Sequence, residues 1–491
     1  MNAFYLFLAV LIPCAGGILV PLIPWKKRTH MMIYLETLVV INSILVFTIL
    51  VRRPQEAFTL VNFTGNLTIA FQLDGLGCVF AGLVAFLWPF ATLYAFEYMT
   101  KEKHEKTFFL FYTVTYGVTL GISLADNFLT LYCFYELLTL VTLPLVMHTL
   151  TREAILASRK YLYYSIGGAA FAFIGMIFFI TYGESTEFVL GGVMSAATLA
   201  DGKNIFLLIY VFSFFGFGVK AAICPLNSWL PQAGVAPTPV TALLHAVAVV
   251  KSGAFAIMRL TFYCFGADFL RGTWAQYLLM GVVMFTIVYG CSMAVRETHL
   301  KRRLAYSTIS NLSYILFGVV IMTPLGLVGA LSHMLFHAFM KICSFFCAGA
   351  IMHQSERHYI HQLDGFAKKM PKVFAVFTIS ALALMGVPGL CGFISKWNLA
   401  SAAMDSKNPM AYAGIGALLI SALLTAIYML GIVIRAYVPD KEFDYDTIAD
   451  VKDPNWMMLV PLFVFVVGIV GFGLCSAPVT RFLTDIATGS F

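Results

Sequence analysis

From residue 3 to residue 476 the chain is a near-continuous succession of apolar runs, parted only by short polar or basic segments. A helix needs about 20 such residues to cross the hydrocarbon core of a bilayer. Fourteen runs meet that length, at approximately 3–23, 31–51, 75–98, 107–124, 127–149, 160–182, 204–224, 237–262, 274–295, 304–323, 325–352, 372–401, 409–438 and 455–476. With 60% of the 491 residues hydrophobic and 11% charged, no water-soluble surface can be built around them. The expected fold is an all-α polytopic membrane protein of about 14 transmembrane helices.

Basic residues set the expected orientation. Of the 31 Lys and Arg residues, 20 fall in the loops that follow odd-numbered spans, among them Lys101, Lys106, Arg296, Arg303, Arg357 and Lys372. The opposite side carries six: Arg52, Arg53, Lys203, Arg271, Lys407 and Arg481. The positive-inside bias therefore places both termini outside the cytoplasm. No basic segment precedes the first run and no small-residue cleavage site comes before Trp25, so that run is expected to be a retained span.

The net charge of +7 is thus mostly a topology signal, and no basic domain is left for nucleic acid. Ten cysteines are scattered without a CxxC pair or a Cys/His spacing suited to zinc, haem or an iron–sulfur cluster. They read as small polarizable core residues, and no cofactor is expected on this chain. Walker and Rossmann motifs are absent as well.

Five basic residues remain inside the apolar runs: Lys220, Lys251, Arg259, Lys341 and Lys396. A charge at the bilayer centre costs roughly 2.5–3.5 kcal/mol on the milder insertion scale, so it persists only beside a buried polar partner or water. Arg259, near the end of its run, is expected to snorkel to an interface. Two runs carry breaks beside their lysines. Pro225 follows Lys220 and removes a backbone donor, and Gly386-Val-Pro-Gly389 precedes Lys396. Broken helices at membrane depth are tolerated only against protein or a wet cavity, and a matched pair of them points to an inverted repeat with a pathway between its halves. The expected architecture is two inverted five-helix repeats, spans 4–8 and 9–13, with helices 7 and 12 interrupted. The corresponding divisions are residues 1–100 (helices 1–3), 101–265 and 266–438 (the repeats), and 439–491 (an acidic loop and the last helix). Aligning Trp229 with Trp397 puts Ser228 opposite Lys396 and Lys220 opposite Pro388, so the charges do not superimpose.

Several motifs occur in order: Phe134-Tyr-Glu136-Leu-Leu, Pro225-Leu-Asn-Ser-Trp-Leu-Pro-Gln-Ala, Ala236-Pro-Thr-Pro-Val-Thr-Ala-Leu-Leu-His245, Leu300-Lys-Arg-Arg-Leu-Ala-Tyr-Ser-Thr-Ile-Ser310, His333-Met-Leu-Phe-His337-Ala-Phe-Met-Lys341 and Gly392-Phe-Ile-Ser-Lys396. Together they resemble the antiporter-like proton-translocating subunits shared by respiratory complex I, Mrp-type cation/proton antiporters and membrane-bound energy-converting hydrogenases. The resemblance runs from about Asp74 to Tyr437. It departs from the common pattern at Tyr135, Asn227 and Gln232, and with about fifteen residues after the last run the chain is expected to be without the long lateral helix of the largest members.

The resemblance implies roles. It places Glu136 beside Lys220, and opposite charges about 6 Å apart at an effective dielectric of about 20 attract by roughly 2.8 kcal/mol. Such coupling makes a switch: the lysine keeps its proton while paired and releases it inward when the pair opens. A purely structural ion pair is the alternative. His245 and Lys251 would carry the proton on, and His333, His337 and Lys341 recur at i, i+4 and i+8 on one helical stripe. Metal ligation by His333 and His337 lacks a third ligand on that stripe. Lys396, in the family's distal position, would pass the proton to the outer side or to a neighbouring subunit.

The implied function is a proton-translocating subunit driven by redox partners, as in complex I or a membrane-bound hydrogenase. Iron–sulfur, nickel–iron or flavin centres would belong only to those partners, which include further antiporter-like subunits and a peripheral redox arm. An Mrp-type sodium/proton antiporter component is the alternative, and a passive membrane scaffold the alternative of another class. The acidic segment from Pro439 to Asp453 reads as a solvated loop or a contact for a basic partner.

Overall fold

The computed structural model describes residues 2–65, 67–440 and 442–491. Among the described residues it is almost entirely helical. The helices are α1 (Phe4–Leu22), α2 (Arg28–Arg52), α3 (Gly75–Tyr98), α4 (Glu105–Ser123), α5 (Phe128–Val146), α6 (Arg152–Tyr182), α7 (Lys203–Gly218), α8 (Thr238–Ala246) and α9 (Val249–Met258). They continue as α10 (Trp274–Arg296), α11 (Leu300–Ile321), α12 (Pro324–Ser355), α13 (Pro371–Met385), α14 (Cys391–Asp405), α15 (Pro409–Tyr437), α16 (Trp456–Leu474) and α17 (Ala477–Ala487). Eleven helical stretches are long and apolar enough to cross a bilayer. Helix α4 and the shorter α7 and α13 fall outside that count.

Helix starts follow their sequence signals. Asp74, Asn127, Thr323 and Asn408 each accept a backbone N–H from the first turn, and Pro324 and Pro409 occupy the first helical position. Burial sorts the bundle into inside and outside. The apolar stretches of Leu300–Ile321 and Pro324–Ser355 are each 94% buried, against 28% for Trp456–Leu474, so α11 and α12 form the interior and α16 an outer wall. The stretch containing α8 and α9 is wholly interior too.

The two expected interruptions are present, and a third appears. Helix α7 stops at Gly218, ahead of Pro225, and Ala222 takes a left-handed backbone in the turn that carries Lys220. The Trp229 indole donates to the freed Val219 carbonyl (2.8 Å). Helix α13 stops at Met385, with Gly386 at φ 94° and Gly389 at φ 89°, conformations that favour glycine. The run 237–262, expected to be one span, is cut at Val247–Ala248, where both N–H groups converge on the Leu243 carbonyl (3.0 and 2.8 Å). No glycine or proline marks this cut. Contacts to α12 hold its two sides: His245 stacks on Phe345 (4.9 Å) and Lys251 meets His337.

Arg259 does not snorkel. It is 1% exposed, in a π-helical turn that ends α9, and its guanidinium donates through both terminal nitrogens to Asp74. Rings of Tyr263, Phe188 and Phe255 enclose it at 4.7, 4.8 and 5.1 Å. The hairpin β1 (Phe58–Thr64) and β2 (Leu67–Phe71) is tied to the α4–α5 connection, and the Asp74 side chain that holds the buried guanidinium keeps 30% exposure. The Ala70 carbonyl accepts from Asp126 N (3.1 Å), and Ala70 N donates to Thr130 (3.0 Å). The acidic segment is likewise tied down: Asp453 accepts from the backbone of Lys372 and Val373 (3.2 Å each) at the start of α13.

Asp74→Ala should leave the buried Arg259 charge uncompensated and cost about 3–5 kcal/mol. Thermal unfolding in detergent would show this as a large fall in midpoint. Asp126, in the α4–α5 connection, is pushed up to about 6 by burial, with Glu187 adding to the effect and Arg259 opposing it. The folded chain therefore binds that proton more tightly than the unfolded one. The resulting stability is full below the ordinary value of 3.8 and is lost as pH rises through about 6. Asp126→Asn should remove this decline from a pH series of unfolding midpoints.

Candidate functional site

Lys220 is 1% exposed in the turn after α7 and reaches α5. Its ammonium donates to the Tyr135 carbonyl and lies 3.4 Å from the centre of the Tyr135 ring. Glu136 stands 3.9 Å away, an ion pair at the limit of contact, with its Oε1 buried and not hydrogen-bonded. Tyr135, a departure from the common motif, thus supplies both a carbonyl and a ring face to the ammonium. Glu136 itself is 26% exposed on the outside of the bundle.

A second group lies deeper, among α9, α12 and α14. Lys251 Nζ is 2.5 Å from His337 Nδ1. The His337 and His333 rings stack at 5.6 Å, and His333 Nδ1 meets Ser395 Oγ at 2.9 Å. Tyr314 lies against His333 at 5.1 Å, and Lys396 Nζ is 5.3 Å from the centre of that same ring. Lys396 also donates to the Leu384 and Met385 carbonyls (2.7 and 3.0 Å), the free end of α13, where the helix dipole favours a cation.

The stripe on α12 is therefore shared out. His333 and His337 belong to this group, whereas Lys341 turns to α11 and donates to Ser307 Oγ (2.6 Å) and the Leu304 carbonyl (3.3 Å). His245 is fully buried and neither ring nitrogen has a partner. The buried lysines Lys341, Lys301 and Lys251 all act on it electrostatically. No contact joins Lys220 to Lys251 among the described residues; the two are linked by packing, since Gly253 of α9 lies directly on the Lys220–Ala221 backbone.

Motif reading gave no role to Lys301, which is 5% exposed and donates to the Ala236 carbonyl just before α8 (2.9 Å). Glu102 acts on it from the α3–α4 connection; burial raises that carboxyl above its usual range while Lys301 opposes. Ser395, Ser307, Tyr314 and Tyr428 were missed too, because a hydroxyl on an apolar helix carries no signal of its own. Beside the segment that follows the interruption after α7 a cavity of about 420 Å³ is lined by Glu153, Gln232, Glu297, Arg302 and Tyr306. Among the described residues no three His, Cys, Asp or Glu side chains converge as metal ligands.

Comparison with known proteins fits this geometry. Residues 125–425 match the family described as NADH:quinone oxidoreductase/Mrp antiporter, TM, and residues 61–109 match NADH-ubiquinone oxidoreductase (complex I), chain 5 N-terminus. The chain is 28% identical over 418 residues to NADH-quinone oxidoreductase subunit N of Desulforudis audaxviator, covering 83% of this chain and 82% of that one. It is 31% identical over 346 residues to a Na(+)/H(+) antiporter subunit of Alkalihalophilus pseudofirmus, covering 66% of this chain and 41% of that one. In fold it is similar to a chain of the Mrp complex from Dietzia, with a TM-score of 0.85, 20% identity and coverage of 100% and 98%. A chain of respiratory complex I from Thermus thermophilus gives a TM-score of 0.82, 21% identity and coverage of 99% and 98%.

A Cβ at Gly253 would fall 2.5 Å from the Ala221 nitrogen and 2.9 Å from the Lys220 carbonyl carbon. Backbone cannot yield as a side chain does, so Gly253→Ala should cost about 1–3 kcal/mol by overpacking and lower the folded yield. Ser252→Ala, whose hydroxyl only donates to Ala248 in its own helix turn, should leave yield and unfolding midpoint near those of the native chain.

Proposed function

The chain belongs to the membrane-subunit family of NADH:quinone oxidoreductases and Mrp antiporters, and from that premise we propose that it is a proton-translocating subunit of a larger complex. The observation that supports this most is the direct Lys251–His337 contact, continued by His333 and Ser395 toward Lys396, in the interior of a multi-pass membrane protein. Three titratable side chains in sequence at membrane depth are costly to keep and mark a proton path.

In this reading Glu136 and Lys220 are the switch. At 3.9 Å and an effective dielectric of about 20 their attraction is worth about 4 kcal/mol, roughly a thousandfold in how firmly the lysine holds its proton. Opening the pair, with Glu136 turned toward the outside of the bundle, releases that proton toward His245 and Lys251. His337 accepts from Lys251 at Nδ1, the stacked His333 passes the proton toward Ser395, and Lys396 delivers it to the outer side or to an adjoining subunit. Lys341 joins the path from its own partners on α11. Helix α9 couples the two groups through the backbone contact at Gly253.

The drive comes from partners. In the favoured setting they form a redox complex of the complex I or membrane-bound hydrogenase type, with iron–sulfur, nickel–iron or flavin centres in a peripheral arm. Relatives that match this chain along most of both lengths include quinone oxidoreductase subunits. The second setting is an Mrp-type sodium/proton antiporter, favoured by the fold similarity to the Dietzia complex. Fourteen crossings are proposed, counting α4, α7 and the α13–α14 pair, with inverted five-helix units at 101–265 and 266–438. Both termini then lie on the outer side of a prokaryotic cytoplasmic membrane.

Proton and sodium flux in vesicles holding the intact complex tests this. Glu136→Gln and Lys220→Ala should each lower proton translocation by more than about tenfold with assembly preserved, consistent with loss of the coupling above. Unchanged flux in the assembled variants would return the chain to the role of a scaffold. Sodium movement that tracks proton movement would favour the antiporter setting.

A further inference from the structure

Lys341 is the member of the α12 stripe whose partners lead away from the histidines, and they lead somewhere. Its ammonium donates to Ser307 Oγ (2.6 Å), which meets the Tyr428 hydroxyl (2.6 Å). Tyr428 donates to Thr425 Oγ1 (3.2 Å), and Thr425 lies 3.7 Å from Cys291 Sγ. Cys291 in turn contacts Ser421 Oγ (2.9 Å) and Ser310 Oγ (3.1 Å), which are 3.1 Å from each other. On the same helix as Ser421, the Leu418 carbonyl accepts from the Tyr314 hydroxyl (3.2 Å), and the Tyr314 ring lies 5.1 Å from the His333 ring and 5.3 Å from Lys396 Nζ. Four helices contribute to this line: α10, α11, α12 and α15. Every member is at most 1% exposed.

A packing role alone would not need this continuity. Hydroxyls that merely satisfy themselves in membrane helices donate to the carbonyl four residues back, as Thr308 does on α11. Here the side chains also meet one another across helices, from one buried ammonium to the surroundings of another.

We propose that the Cys291-centred network is a second proton-transfer branch, joining Lys341 to the Tyr314–Lys396 end in parallel with the His337–His333 stack. This rests on the transport function proposed above. In each step one bond forms as another breaks. Lys341 gives an N–H proton to the Ser307 oxygen as Ser307 gives its own to Tyr428, and the relay continues through Thr425, Cys291 and Ser421. Every relay group ends with the number of protons it began with, and hydroxyl rotation resets the line. In the last steps of this branch Ser421 passes a proton to Tyr314, and water carries the Tyr314 proton to Lys396 in its neutral form, whose Nζ lies 5.3 Å from the Tyr314 ring centre. Cys291 is the vulnerable link, since a thiol is the weakest donor and acceptor in the line.

The test is a double-mutant cycle on proton flux by the intact complex in vesicles. Parallel branches predict that Cys291→Ala and His337→Phe each reduce flux only about twofold to fivefold, while together they reduce it at least about tenfold beyond the product of the single effects. Cys291→Ser should recover most of what Cys291→Ala loses. Thr425→Val removes the same link at nearly constant volume and stands in wherever Cys291→Ala fails to assemble. The branch is refuted by a double variant whose loss equals the product of the singles. Abolished flux in His337→Phe alone refutes it equally, as does Cys291→Ser behaving like Cys291→Ala in an assembled complex. Lys396→Ala separates the two levels: persistent pumping by that variant sinks the transport function itself, whereas its loss beside a multiplicative cycle sinks only the branch.

Discussion

An ammonium group held away from water must find oxygen or nitrogen within the protein, and the interior of this bundle is arranged around that need. Lys220 takes the Tyr135 carbonyl, Lys301 the Ala236 carbonyl, and Lys396 the two carbonyls that end α13. Lys341 takes a carbonyl and a hydroxyl. Carbonyls can hold a cation but cannot receive a proton at working pH. Lys251 differs from these four, because its hydrogen-bond partner is the His337 ring, a group that can accept what it is given. The lysines thus divide into four held by backbone or hydroxyl oxygen and one that meets a titratable ring nitrogen.

That division explains why interrupted helices recur beside the charges. An intact helix spends its carbonyls on its own N–H groups, whereas a helix that stops leaves its last carbonyls free. Lys396 uses the end of α13, and the turn after α7 carries Lys220 out of helical register so that it can reach α5. The cut between α8 and α9 lets His245 and Lys251 turn to different neighbours on α12, which one straight helix could not arrange. Backbone irregularity and buried charge are two sides of one constraint here.

How far the site could be read in advance depended on the kind of signal. The breaks after Lys220 and before Lys396 were legible because proline and glycine alter the backbone locally. The cut at Val247–Ala248 was not, since nothing in Leu-His-Ala-Val-Ala-Val-Val departs from an ordinary apolar helix. The 3.6-residue period put His333, His337 and Lys341 on one stripe, and they do share a face, but period carries no information on which neighbour each side chain meets. Arg259 was misjudged for a related reason: nearness to a span end suggested water, and Asp74, the carboxylate that holds its guanidinium inside, lies 185 positions away in the chain.

Sequence by itself determined that this chain lies in a bilayer, nearly all helical, with its lysines and histidines at depth and two helices broken beside them. Those facts follow from hydrophobicity, length and local backbone chemistry, which act over a few residues. Only the tertiary structure decided that Lys251 meets His337, that Lys341 leaves the histidine stripe for a line of hydroxyls, and that Asp74 neutralises Arg259. Contacts of that kind join residues tens to hundreds of positions apart. They are selected by how the helices pack together, and no local pattern encodes the choice.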